Sequence, residues 1–179
     1  PAEIIALQAD VTSVPARRWA EQCAQLPELD GDAEKARQLL VGWDGELARD
    51  TAQGLLYTCL KNALMEGVYR PIVGDDTWSW LQESVNASAK GILSRWFYGL
   101  GISLDDLTSA QTPDGRDLSI VLASALDDAW KTAVTIGGDD SDNWRWGDYH
   151  RTDAQHTLSP VIGDRFDPQF HQAMFEAPL

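Results

Sequence analysis

Two long stretches of this chain repeat apolar residues at helical spacing, and nowhere does a sustained apolar-polar alternation of period two appear. From Asp50 to Glu66, the residues Leu55, Leu56, Cys59, Leu60, Ala63 and Leu64 fall on one helical face, because spacings of three and four return a side chain to the same side of a 3.6-residue turn. From Asp117 to Ile136, Leu118, Val121, Leu122, Ala125, Leu126, Ala129, Ala133 and Val134 repeat the pattern. Asp117 is placed to cap that second helix and Gly137-Gly138 to stop it. Such a chain buries helix against helix, which argues against an all-β or a parallel-sheet domain. The expected fold class is mainly α, with few or no strands, in one domain.

The remaining helices are shorter. Ile4, Ile5 and Leu7 make a weak helical pattern ahead of Asp10, and Thr12 or Ser13 supplies a cap before Pro15. Proline fits a first helical turn, where its missing N–H has no partner to lose. The spacing predicts a helix from Pro15 to Leu26 with Trp19, Cys23 and Leu26 inward. Pro27 and Asp30-Gly31-Asp32 close it, and Asp32 is placed to cap the next helix, through Ala36, Leu39, Leu40 and Trp43. Asp44-Gly45 reads as a turn. Thr77 to Leu81 and Ala89 to Leu100 read as two helices, separated by Ser84 to Ser88 and ended by Gly99 and Gly101. Gly137 to His156 is polar, aspartate-rich and aromatic, and Thr157 to Pro178 carries three prolines. Loops are expected there, apart from a short helix near Pro168 to Phe175.

Charge and length exclude several classes. A formal charge of −14 gives a field that repels a phosphate backbone, so nucleic acid is not an expected partner. No run of about 18 apolar residues exists to span a bilayer, and residues 1 to 20 lack the basic start and apolar stretch of a signal peptide. If the chain is a piece of a longer precursor, its targeting segment lies upstream. The 179 residues, 44% of them hydrophobic, suffice for one sizeable core or one lobe of something larger. Eight tryptophans, Trp19, Trp43, Trp78, Trp80, Trp96, Trp130, Trp144 and Trp146, are read as core and interface packing. Cys23 and Cys59 fit no metal or redox spacing; they either pair in an oxidising compartment or stay as buried thiols.

The most chemically loaded window holds Trp144, Trp146, Gly147, Asp148, His150, Asp153 and His156. His150, Asp153 and His156 stand at i, i+3 and i+6, which does not bring all three to one face of a straight helix, and two histidines with scattered carboxylates make a weak zinc motif. Asp139, Asp140 and Asp142 lack the glycine and glutamate of a calcium loop. Asp105-Asp106 and Asp127-Asp128 read as helix-start acids or solvent-facing charge. There is no phosphate loop, nucleophile elbow or H-E-x-x-H. Asn86-Ala87-Ser88 matches a glycosylation acceptor by a very short pattern. Pro1 has the form of a catalytic N-terminal proline, but its neighbours carry no motif for that role.

Four motifs stand in order. Ile5-Ala6-Leu7-Gln8-Ala9-Asp10-Val11-Thr12-Ser13-Val14-Pro15-Ala16-Arg17 is similar to the "LQ-D-x-x-S-x-x-A-R" segment of penicillin-acylase-type enzymes. Leu40-Val41-Gly42-Trp43-Asp44-Gly45 resembles their "L-x-x-W-D-G". Leu122 to Lys131, with Leu126-Asp127-Asp128-Ala129-Trp130, resembles their "L-x-x-A-L-x-D-x-W" helix. Trp144-Arg145-Trp146-Gly147-Asp148-Tyr149-His150 is similar to their "W-x-W-G-x-x-H". On these residues the chain resembles an internal helical part of the large chain in the penicillin acylase family of N-terminal-nucleophile amidohydrolases.

The resemblance implies a helical region of a larger α+β hydrolase that matures by self-cleavage. In that family a newly exposed serine attacks a linear amide, its own α-amino group acts as base, and backbone and asparagine donors hold the oxyanion. Those residues precede the "LQ-D" segment, so none is carried over to this chain, and no catalytic, cofactor or metal residue is expected here. Trp43, Trp130, Trp144 and Trp146 are read as packing anchors, Gly45 and Gly147 as tight turns, Asp10 and Asp44 as caps, and His150 as a structural hydrogen-bonding group. Residues 1–156 form the resembling region and 157–179 a divergent or truncated connection. The implied partners are the remaining acylase chains, with their sheet sandwich and small chain, and an acylated small molecule: a β-lactam side chain, an acyl-homoserine lactone or a lipopeptide. The implied compartment is periplasmic or secreted. Two rivals remain: a stand-alone acidic helical binding module, which the sequence upstream would discriminate, and a metal-dependent hydrolase built on His150 and His156, which metal analysis would expose.

Overall fold

Seven α-helices make up most of what the computed structural model describes, residues 10–86 and 92–150. The chain divides into two compact units, Pro1–Trp146 and Gly147–Leu179. The long helices all belong to the first; of the second, residues 147–150 are described, the rest of a single helical turn and a bend. The expected helix before Asp10, the glycosylation triplet as a whole, Asp153, His156 and the stretch 157–179 lie outside the described residues.

Helix α1 (Val14–Gln25) begins where extended Ser13 accepts the Ala16 amide at 3.2 Å through its hydroxyl, with Pro15 in the first turn. Trp19, Cys23 and Leu26 are buried as their spacing requires. Helix α2 (Gly31–Leu40) departs from expectation at both ends. Asp30, not Asp32, takes the cap position, because the helix opens two residues earlier, at Gly31 with φ +60°; Asp32 pairs instead with Lys35 at 2.8 Å. The helix stops at Leu40, short of Trp43, and Gly42 follows at φ +78°.

Glu34 fastens α2 to the chain before it. Its carboxylate accepts the Leu29 amide at 3.0 Å, both arms of Arg37 at 2.7 Å and the Gln38 amide at 2.8 Å. These donors, Arg37 foremost, hold the carboxyl well below its ordinary 4.5, at about 2. A carboxylate with a lowered folded-state pKa stabilises the fold above its unfolded value and loses that contribution as the pH falls through its folded one. A Glu34→Gln variant is therefore expected to be less stable at neutral pH, with the gap to the parent closing as the pH drops from 4.5 toward 2. Urea unfolding midpoints at a series of pH values measure it; a gap that stays constant throughout this window would show that the charge on Glu34 is not what matters.

Helix α3 (Ala52–Val73) is the central element. It runs two turns beyond the expected end at Glu66, because Val68 and Tyr69 are buried and hold the chain helical as far as Pro71 and Gly74, the latter at φ +85°. Leu55, Leu56, Leu60 and Leu64 are almost wholly buried. Helices α4 (Asp75–Asn86) and α5 (Ile92–Asp105) pack against each other. Gly99 and Gly101 do not end α5. Gly101 is buried, within ordinary van der Waals reach of Lys61 and Met65 of α3, and this burial against a neighbouring helix outweighs glycine's unfavourable helix propensity.

Helix α6 (Leu118–Gly137) matches the sequence reading closely. Asp117 accepts the Ser119 amide at 2.8 Å, and Gly138 stops the helix at φ +86°. Its most extensive contact is with α3, and α2 packs on it as well. Leu122, Leu126 and Trp130 are buried. A short 3₁₀ turn (Ser141–Asn143), capped by Asp140, then delivers Trp144 into the core, and α7 (Trp146–Tyr149) follows. Gly147, expected in a tight turn, lies inside that helical turn. Extended pairing among the described residues is limited to two isolated bridges, Thr12 with Glu46 and Gln111 with Asp117.

Candidate functional site

Where α3 and α6 pack together and α4 turns away, an open groove of about 1060 Å³ forms. Ala63, Val121 and Ala125 give it an apolar floor, and Trp78 and Gln82 of α4 stand as one wall. The lips are polar: Asn62, Glu66 and Arg70 come from α3 at i, i+4 and i+8, and Ser124 and Asp128 from α6. This is one consequence of two amphipathic helices whose polar stripes face outward on either side of their seam.

The groove's basic groups are engaged with their own neighbours. Arg70 binds Glu66 at 2.6 Å and Asp75 at 2.7 Å, Arg116 binds Asp114 at 2.8 Å, and Lys131 binds Asp127 at 2.5 Å. Asp75 first, then Glu66, pushes the Arg70 guanidinium further up, and Asp127 does the same for Lys131. In a chain of charge −14, the groove lining itself carries Glu66, Asp117 and Asp128 against Arg70, Arg116 and Lys131. Such a surface suits neutral hydrogen-bonding groups over an apolar floor better than a strongly charged ligand.

A second polar cluster lies between α1, α3 and α5. Lys61 meets Asp105 at 2.5 Å. Asp105 thus stands at the end of α5, partly buried and paired, rather than at a helix start or as a solvent-facing charge, the two readings its sequence position suggested. Burial, then the Asp105 charge, pushes the Tyr57 phenol up, with the Ser13 hydroxyl opposing. Asp105 Oδ1 and Arg18 Nη2 are buried without a hydrogen-bond partner among the described residues. The ion pair ties α3 to α5 across 44 residues of sequence. Nothing in the period of either helix signals that tie.

The motif residues are occupied with structure. Trp43 packs tilted against Tyr57 at 5.8 Å, and Trp130 against Trp144 at 5.0 Å. Trp144 is fully buried and donates its indole N–H to the Gly138 carbonyl at 2.8 Å. Trp146 lies so close to Gly54 that a Cβ on the glycine would sit 2.9 Å from it. Asp10 accepts the Thr12 amide at 2.8 Å and Asp44 the Glu46 amide at 3.0 Å, each capping a turn rather than a helix. His150 is exposed at a bend.

Cys23 and Cys59 are free and buried. Burial pushes their thiols up, to about 12 and about 11, which keeps both protonated and poorly nucleophilic at neutral pH. Among the described residues no group of three or more His, Cys, Asp or Glu side chains is arranged to hold a metal ion, and no helix is long and apolar enough to cross a membrane.

A family model described as penicillin amidase aligns with residues 1–176, so the alignment continues past 156 through a stretch where none of the four motifs falls. No curated protein matches the chain.

Proposed function

We propose, because this chain belongs to the penicillin amidase family, that it is the helical scaffold of an acylase that hydrolyses linear amides, removing acyl side chains from β-lactams or other acylated small molecules. The scaffold supports the sheet sandwich formed by the remaining acylase chains and contributes to one wall of the acyl pocket. The enzyme works in the periplasm or outside the cell, and its serine nucleophile, its free amine and its oxyanion donors are supplied by the enzyme's other segments.

The observation that carries this reading is the use made of the motif residues. Trp43, Trp130, Trp144 and Gly45 pack and turn the chain, while Asp10 and Asp44 cap. Acyl transfer by an N-terminal nucleophile needs a side chain beside its own free amine, and donors aimed at the developing oxyanion. Losing one such donor alone costs about two to three orders of magnitude in rate. The four motif segments of this chain supply neither, since their residues pack, turn and cap. The purified chain is therefore expected to turn over neither penicillin G, an acyl-homoserine lactone nor a chromogenic anilide, beside a heat-denatured control. Turnover that survives purification and vanishes on a single Ser or His substitution within the chain would overturn the scaffold reading.

A further inference from the structure

Proline has no amide hydrogen, so in a helix the carbonyl four residues earlier loses its donor. In α3 the proline is Pro71 and the carbonyl is that of Gly67. That carbonyl is not left empty. Arg116, 49 residues further along the chain, donates Nη1 to Gly67 O at 2.9 Å and Nη2 to Val68 O at 3.0 Å.

The arginine is aimed from a fixed frame. Its Nε binds Asp114 at 2.8 Å, and its backbone is gripped by buried Thr112, whose amide donates to Arg116 O at 2.9 Å and whose hydroxyl accepts Arg116 N at 3.0 Å. Gly115 at φ +86° closes this loop. On the receiving side, Gly67 lets α6 come close, since a Cβ there would stand 3.1 Å from Val121 Cγ1. Three residues beyond Pro71 the chain reaches Gly74 at φ +85° and turns into α4, which carries Trp78 and Gln82 to the groove.

We infer that Arg116 is a positioning residue which supplies the hydrogen bond that Pro71 removes, and so locks the joint between α3 and α4 that sets one wall of the groove. A guanidinium suits this task because its planar fork reaches two successive carbonyls at once. Arg70 bridges the same joint from the exposed side, through Glu66 and Asp75. The inference rests on the hydrogen bonds of Arg116 and stands apart from the family assignment.

The test is a double-mutant cycle read by hydrogen exchange and mass spectrometry on the intact natural protein, over peptides spanning residues 68–82. Arg116→Met keeps most of the stem and removes the donors; it is expected to speed exchange in these peptides about tenfold, the scale of losing charged hydrogen bonds at a local opening. In a Pro71→Ala background the new amide takes the Gly67 carbonyl, and the same substitution is expected to matter several-fold less. An equal effect in both backgrounds would overturn the inference, since it would place the role of Arg116 elsewhere. If Arg116→Met does not fold, Arg116→Lys and Asp114→Asn separate the possibilities. Lysine, with one compact ammonium, is expected to open the joint, and Asp114→Asn, which keeps the fork, to leave it near the parent rate. The reverse order would assign the effect to the ion pair and overturn the inference as well.

Discussion

Gly45→Ala is expected to destabilise the protein by roughly 2 to 6 kcal/mol, the sum of backbone strain and steric conflict. Gly45 sits at φ +85° and is buried, with its carbonyl accepting the Ser13 amide at 2.9 Å. A Cβ there would lie 2.7 Å from Ser13 O and 2.8 Å from Arg17 N. Those two atoms are acceptor and donor of a hydrogen bond in the first turn of α1, 3.1 Å apart, so the methyl group would press on a backbone bond that has no flexible side chain to yield. Gly42 provides the control. It has nearly the same conformation, at φ +78°, but nothing within 4 Å of its Cβ position, so Gly42→Ala is expected to show the strain alone. Urea unfolding of the two variants measures the difference; equal losses would mean that the turn does not press on α1. Against a typical total stability of about 5 to 15 kcal/mol, the larger loss can unfold the chain outright.

Trp144→Ala is expected to cost about 3 to 5 kcal/mol, the range for removing a large buried aromatic. Its ring is fully buried, packs against Trp130 and is passed so closely by Gly137 that a Cβ on the glycine would stand 2.5 Å from the indole. Walls fitted this tightly around a rigid ring collapse poorly when it is removed. The indole N–H bond to Gly138 O is lost too, but Gly138 is exposed, so water takes over that carbonyl and the loss is mainly one of packing. Trp80, 53% exposed on α4, is the comparison, and Trp80→Ala is expected to stay within about 0.5 kcal/mol of the parent. Thermal melting of both variants, with near-ultraviolet circular dichroism to report the Trp130 environment, measures this. Equal melting temperatures would contradict the anchoring role given to Trp144.

The glycines and tryptophans of the motifs mark the boundary of what was readable. The W-D-G and W-x-W-G motifs pointed to turns and anchors, and Trp144 and Gly45 hold those roles. Gly147 does not, because a glycine's presence permits a turn without requiring one, and the chain at 147 continues a helical turn. The candidate groove was not visible in the sequence at all. Its walls come from α3, α4 and α6, and no motif links Gln82 to Ser124.

What the sequence determined by itself is whatever depends on neighbours within a few turns. The buried faces of α1, α3 and α6 follow from spacing, Ser13 and Asp117 cap as short polar side chains do, and Gly138 stops α6 as a glycine can. These are local energies, repeated each turn, and they leave a periodic trace. The tertiary structure alone decided that α3 passes Glu66, that α5 runs through Gly99 and Gly101, that Asp105 pairs with Lys61, and that Arg116 reaches the carbonyl beside Pro71. Each of these outcomes depends on a partner 44 or more residues distant, or on burial by another helix. A proline or glycine in a helix carries a fixed local penalty, and whether the helix survives it is settled by the contacts that arrive only when the chain has folded.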